Sequence, residues 1–357
     1  MDLLLRRLDS QRLTGEKFST SKDAVSFFGV VQAQDFAAAK WSLSLRVADA
    51  TNAIIEEAYN KGDILRTHVL RPTWHFVSPE DIRPFLALSA PQIKKITAYY
   101  NKHLGLTEEV LQKTNRIITK ALTGKHFLTR QEIKACLEKE RIPTDVQRLG
   151  HIVMSAEIEG LITSGPMRGK QFTYALLDER VPQSNDMQRD EVLARLAEKY
   201  FTSHGPAQVK DFAWWSGLSI KQATEGVSFV ASKFEKISIN NKTYWFAPKA
   251  MSLQKNRQKV FLLSVYDEYF ISYTDRTEIY DNQHKDKLPI GNALLTSLII
   301  RNGKVAGTWK RTISNQNIDV TLYPFSPLQS TESEELEKIV NAYGTFFGLP
   351  VQWKVHA

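Results

Sequence analysis

The stretch that decides the fold runs from Thr144 to Leu177, TDVQRLGHIVMSAEIEGLITSGPMRGKQFTYALL. Leu149, Ile152, Val153 and Ala156 recur at helical spacing and share one face, and Gly160 supplies the stop at the helix C-terminus. A short apolar strand (LITS), a Gly/Pro turn (GPMRG) and a returning strand (QFTYALL) follow. Upstream, TRQEIKACLEKER (from Thr129) reads as another helix, with a break at Pro143. Helix, helix and two-stranded wing make the outline of a winged helix-turn-helix.

The same order returns downstream. PAQVKDFAWWSG and SIKQATEGVSFVASKF read as helices, and EKISINNKTYWFAPK as a hairpin turned at Asn240-Asn241. An earlier copy runs from STSKDAVSFFGVV through DFAAAKWSLSLRV and ATNAIIEEAYNKG to the strands ILRTHVL and TWHFV, with Arg71-Pro72 at the turn. The expected fold class is therefore α+β and helix-rich, with tandem winged helix-turn-helix units and a C-terminal β-rich subdomain. The expected divisions are 1–90 for the first unit, 91–178 for a basic helical connector and the second unit, 188–250 for the third, and 256–357 for the C-terminal subdomain. Leu176 to Asp190 reads as the linker into the third unit. The character turns to β from about Lys259, over VFLLSVYDEYFISYTD and then LLTSLIIRNGKVAGTWKRTI, where Asn302-Gly303 is the strongest short hairpin signal.

The 357 residues carry a formal charge of +8, a field that attracts polyanions, nucleic acid first among them. The winged helix strengthens that reading, because its second helix is shaped to enter a major groove, although the fold also serves protein contacts. The connector displays Lys94, Lys95, Lys102, Lys113, Arg116, Lys120 and Lys125, either a phosphate-tracking face or an ordinary solvated one. A lone Cys136 excludes an intramolecular disulfide and is expected to be a buried structural thiol. No apolar run reaches the roughly 18 residues of a membrane span, and MDLLLRRLDSQRLTG lacks the order of a secretory signal, so a cytoplasmic monomer without membrane contact is expected. Gly-rich phosphate loops, metal-ligand spacing and a nucleophile elbow are lacking in the sequence, so neither metal nor cofactor is expected.

The segment VVQAQDF (Val30 to Phe36) is a polar interruption between apolar stretches. On a continuous helix Gln32 and Gln34 would point about 200° apart, so they share a site only where the helix ends. The pattern Val25, Phe28, Val31 stops there, and Asp35 is a good N-cap for the Ala-rich helix that follows. A glutamine amide cannot act as a general base, but it can hold a water or a base edge; it can equally cap a helix end or bond backbone.

VVQAQDFAAAKWSLSLR, followed by LRPTWHFV, RLGHIVMSAEIEGLI, LLSVYDEYFISYTDR and VAGTWKR, resembles the winged-helix DNA glycosylases of the AlkZ/YcaQ type over nearly the whole chain. The resemblance implies excision of bulky alkylated purines and unhooking of interstrand crosslinks in double-stranded DNA, by a monofunctional enzyme. It also implies that Gln32 and Gln34 are the family's Gln-x-Gln motif, whereas a related branch carries Gln-x-Asp. An N7-alkylated guanine is already cationic and leaves without an acid, so a placed water and electrostatic help suffice. The alternative is a non-catalytic winged-helix DNA binder such as a transcription regulator.

Further candidates are Arg71 at the first wing tip, set to meet a phosphate, and His75, which either lines the pocket or is structural. The stretch around Asn302-Gly303 displays Arg301, Lys304, Trp309, Lys310 and Arg311, suited to a minor-groove or lesion-side contact or to an ordinary exposed hairpin. YDEYFISYTDR offers Asp267, Glu268, Asp275 and Arg276: the carboxylates could form a metal pair, and an internal Asp275/Arg276 network that stitches domains is the competing expectation. Trp214 and Trp215 are expected in the core of the third unit.

Overall fold

The computed structural model describes residues 2–183, 187–248, 260–280, 284, 287, 296–327 and 330–356. Asp2 caps the first turn of α1 (Leu3–Ser10), accepting from the N–H groups of Leu4 and Leu5. α2 (Ser21–Phe28) ends at Gly29, whose φ of 84° turns the chain sharply into β1 (Val30–Gln32). Asp35 then caps α3 (Phe36–Ser44) through Ala38 N–H. After α4 (Asn52–Lys61), strands β2 (Leu65–His68) and β3 (Trp74–Val77) form a hairpin, and the sheet order is β1-β3-β2.

The basic connector is two helices, α5 (Pro79–His103) and α6 (Glu108–Leu122). Next come β4 (Leu128–Thr129), α7 (Arg130–Lys139), α8 (Val146–Ile158), β5 (Ile162–Ser164) and β6 (Thr173–Leu176), with sheet order β4-β6-β5. α9 (Leu177–Arg180) occupies part of the expected linker, of which 184–186 lie outside the described residues. α10 (Arg189–His204), α11 (Val209–Ser216) and α12 (Ile220–Val230) precede the hairpin of β7 (Glu235–Ile239) and β8 (Lys242–Phe246), where Ala207 bridges Trp245 as a third strand would. Asn240 and Asn241 both take positive φ at the turn.

The last part holds β9 (Val260–Leu263), α13 (Glu268–Ile271), β10 (Leu298–Arg301), β11 (Lys304–Ile313), β12 (Ile318–Pro324), α14 (Ser330–Phe347) and β13 (Val351–Val355), in one sheet of order β13-β12-β11-β10-β9. Two expectations fail here. The strand in VFLLSVYDEYFISYTD stops at Leu263, because Asp267 accepts from Tyr269 N–H and starts α13. The subdomain also contains an 18-residue helix, α14, whose Leu336, Val340 and Tyr343 are buried against the sheet.

Packing joins these parts unequally. Phe28, Val31, Trp41 and Phe76 of the first unit share a core with Leu262, Trp309, Val340 and Tyr343. Tyr200, Phe212 and Trp215 of the third unit share another with Leu3, Leu70, Phe270 and Ile300. The second unit keeps its own core around Ile133, Leu149, Ile152 and Tyr174. Cys136 is not buried but partly exposed on α7. Trp215 is fully buried as expected, whereas Trp214 is 45% exposed and only its indole N–H is tied down, to Ile271 O.

The first unit and the C-terminal part are also pinned by a buried fork. Arg46 reaches both oxygens of Asp267, Nη2 to Oδ1 at 2.8 Å and Nη1 to Oδ2 at 3.0 Å, while Ser42 Oγ donates to Oδ2 at 2.7 Å. Both charges are almost fully excluded from water, so removing one leaves the other uncompensated. Asp267→Ala is expected to lower unfolding free energy in urea by about 3–5 kcal/mol, against about 1 kcal/mol for Ser42→Ala.

Candidate active site

Gln32 ends β1 opposite His75 of β3, and Ala33 prolongs the ladder by donating to Trp74 O at 2.8 Å. The two glutamines are brought together by an extended segment rather than by a direct helix-to-helix joint. Gln34 N–H donates to Gln32 Oε1 at 2.7 Å, and Trp74 N–H donates to Gln34 Oε1 at 3.2 Å. Because a backbone N–H can only donate, both amides must turn their oxygens toward these contacts. Each oxygen keeps a second lone pair, and neither Nε2 has a hydrogen bond among the described residues. Gln32 is buried and Gln34 exposed, so the pair spans the protein surface.

Behind Gln32 lies Glu268, 1% exposed. Its Oε1 accepts Gln32 N–H at 2.7 Å; its Oε2 accepts Trp215 Nε1–H at 3.0 Å and Ser272 Oγ–H at 2.6 Å and faces His204 Nε2 at 3.3 Å. Burial alone would raise the carboxyl pKa, but His204, Ser272 and the Gln32 N–H outweigh it and hold the group down at about 2. His204 is itself held below its ordinary value by burial. Because the Glu268 carboxylate can only accept, His204 Nε2–H is the donor to it, and Nδ1 faces Ser203 Oγ at 2.8 Å.

His75, cross-strand from Gln32, is fully buried, and its Nδ1 faces Thr73 O at 2.9 Å. Burial first, and the Arg71 charge second, push its pKa down to about 3, so it is a neutral structural imidazole. Arg71 lies in the β2–β3 turn as expected, but its side chain does not reach out toward solvent. It folds back so that Nη2 lies 3.2 Å from His75 Nε2, and its Nε is buried without a partner. Desolvation lowers the guanidinium pKa, partly offset by Glu268.

The outer wall uses residues that the sequence reading did not single out. Arg66 Nε donates to Ala33 O at 2.9 Å, and its guanidinium lies 4.4 Å from the Trp74 ring centroid. Glu157 receives His68 Nδ1 at 2.5 Å and Trp74 Nε1–H at 3.4 Å. A carboxylate on the same buried helix face as Ile152, Val153 and Ala156 demands such partners, and that was the available signal. Beside Trp74 a cleft of about 330 Å³ opens between the β2–β3 hairpin, α5 and α8.

The C-terminal basic candidates do not share one protruding tip. Gly303 is buried against Leu4 and Tyr269, whose hydroxyl donates to Gly303 O at 2.8 Å, so the turn packs inward on its glycine while Asn302 stays exposed. Trp309 is 2% exposed and its indole donates to Leu263 O at 2.8 Å, which makes it a core residue and not a displayed one. Arg301 is engaged by Glu332 at 3.0 Å and by Ser326 Oγ at 3.0 Å. Lys304 and Lys310 are exposed and Arg311 is partly so; Lys310 and Arg311 approach the exposed β11–β12 turn. Asp267 and Glu268 are both occupied by protein donors and are not arranged as a metal pair; Asp275 pairs with Lys242 at 2.6 Å, and Arg276 Nε donates to Phe270 O.

A family model described as DNA glycosylase AlkZ-like matches residues 25–346. The chain belongs to the AlkZ-like DNA glycosylase family. It is 21% identical over 351 residues to the interstrand DNA cross-link repair glycosylase of Streptomyces sahachiroi, with 92% of each chain covered. The solved structure of Streptomyces sahachiroi DNA glycosylase AlkZ matches with a TM-score of 0.79 over 98% of both chains, at 19% identity, a likeness of fold. Among the described residues no helix is long and apolar enough to cross a membrane.

The depressed pKa of His75 has a sign. Unfolded, the imidazole binds a proton below about pH 6.5; folded, it resists until about 3. Stability therefore falls as pH drops through this window, by about 1.4 kcal/mol per pH unit for one such group. Urea titrations between about pH 6 and 4 should show this slope reduced by about one proton in His75→Gln.

Proposed function

We propose that this family member is a monofunctional glycosylase that hydrolyses the N-glycosidic bond of N7-alkylated purines, bulky or crosslinked ones included, in double-stranded DNA. The observation that carries the reading is the locked amide pair, with Gln34 N–H on Gln32 Oε1 at 2.7 Å. Each amide oxygen retains an acceptor position for one hydrogen of a water, and the free Nε2 donors suit sugar or phosphate oxygens. The water oxygen bonds to C1′ as the C1′–N9 bond breaks. The bonding pair moves into the purinium and cancels its positive charge, and the spare proton of the water passes to solvent. No acid is needed on the leaving base, which fits a site whose buried Glu268 remains ionised behind the motif.

The recurring helix, helix and hairpin units are read as tandem winged helices that carry a monomeric protein onto the duplex. Lys304, Lys310 and Arg311 are its candidate phosphate contacts in the C-terminal part, while Arg71 and His75 act behind the motif as positioning residues. Arg301, paired with Glu332, and Trp309, buried in the core, are left out of that surface.

In single-turnover assays on a duplex with one N7-methylguanine, Gln34→Ala should slow base release about 100-fold while DNA affinity stays within about twofold. Equal loss of affinity and release would assign the motif to folding, and wild-type binding without release would make the protein a non-catalytic DNA binder. Lys310→Ala combined with Arg311→Ala should reduce the dependence of log affinity on log salt by about 2; an unchanged slope removes these two from the DNA surface.

A further inference from the structure

We propose that the cleft beside Trp74 seats the N7 substituent of the damaged purine, and that this substituent is a planar apolar or aromatic group. The inference rests on the glycosylase reading above and names the part of the substrate that reading leaves open. Trp74 joins the two places: its backbone N–H holds Gln34 Oε1 at 3.2 Å, and its side chain lines the cleft. A purine positioned at the glutamine pair therefore has the cleft within reach of its substituent.

The lining selects the occupant. Pro72, Ile96, Val153 and Met154 offer aliphatic surface, and Tyr100 and Tyr174 offer ring surface. Part of the polar wall is tied back into the protein: His68 Nδ1 and Trp74 Nε1 meet Glu157, His151 Nδ1 meets Asn101 Oδ1 at 2.8 Å, and Arg130 Nη2 donates to Val146 O at 3.2 Å. Aliphatic and ring surface therefore makes up most of what the cleft presents, and it rewards an apolar group. About 330 Å³ stands at the small end of ligand clefts and suits a ring system rather than a nucleotide. Glu157 holds His68 and Trp74 from one buried carboxylate, so this wall is set before the ligand arrives. A second cleft of about 360 Å³ continues the groove past Thr97, His151 and Met154, room for a longer substituent along α5 and α8.

Met154 is partly exposed and Ile96 is 44% exposed, so a larger side chain at either place fills the cleft without entering the core. In duplexes carrying one N7-benzylguanine or one N7-methylguanine, Met154→Trp and Ile96→Trp should each lower the benzyl-to-methyl ratio of kcat/KM at least tenfold. A ratio within twofold of wild type in both variants overturns the proposal. Calorimetric titration with free 7-benzylguanine reads the cleft without catalysis. Wild-type binding weakened at least tenfold in Met154→Trp supports it, while no binding, or equal binding by both, overturns it. Binding of the free base by a protein that releases neither base from DNA would sink the glycosylase reading and leave the cleft standing; release with an unchanged ratio would do the reverse.

Discussion

One buried carboxylate organises this protein. Glu268, at the start of a one-turn helix, binds the backbone of Gln32 in the first unit, the indole of Trp215 and the imidazole of His204 in the third, and Ser272 of its own helix. A lone ionised carboxylate in such a place would be strongly disfavoured, and four donors are what make it tenable. Three of those donors come from distant parts of the chain, so the charge is fully satisfied only when the parts are docked. The neighbouring Arg46–Asp267 fork works in the same way from the adjacent residue.

The consequence for chemistry is rigidity where the motif needs it. Glutamine is a weak catalytic group, and its usefulness depends on orientation more than on acidity. Here Gln32 is held by its own N–H on Glu268 and by its side-chain oxygen on Gln34, and Gln34 in turn is held by Trp74. A reaction whose leaving group arrives already cationic asks for little more than a fixed water, so rigidity can take the place of an acid. Glu268 adds a buried negative charge directly behind Gln32.

Much of the fold was legible. Periodicity at Leu149, Ile152 and Val153, the Gly160 stop and the asparagine turn at 240–241 placed helices and hairpins where the structure has them. Asp35 was legible as a cap because its role is local. The site was only half legible. The sequence offers Gln32 and Gln34 as candidates and Glu268 only as a metal-pair carboxylate, and it does not point to Glu157, since both carboxylates act through partners far away in sequence. The burial of Trp309 and Gly303 is equally invisible in the sequence: Asn302-Gly303 specifies a turn, but its packing on Leu4 and Tyr269 is decided by tertiary contacts.

The proposed dependence of catalysis on the charge behind the motif is tested most directly by the single-turnover rate of N7-methylguanine release by wild type and by Glu268→Gln, with folding checked by circular dichroism. Measurable release by wild type and at least tenfold slower release by a folded Glu268→Gln that still binds the duplex are the results expected of that dependence. A folded Glu268→Gln that releases the base at the wild-type rate would contradict it.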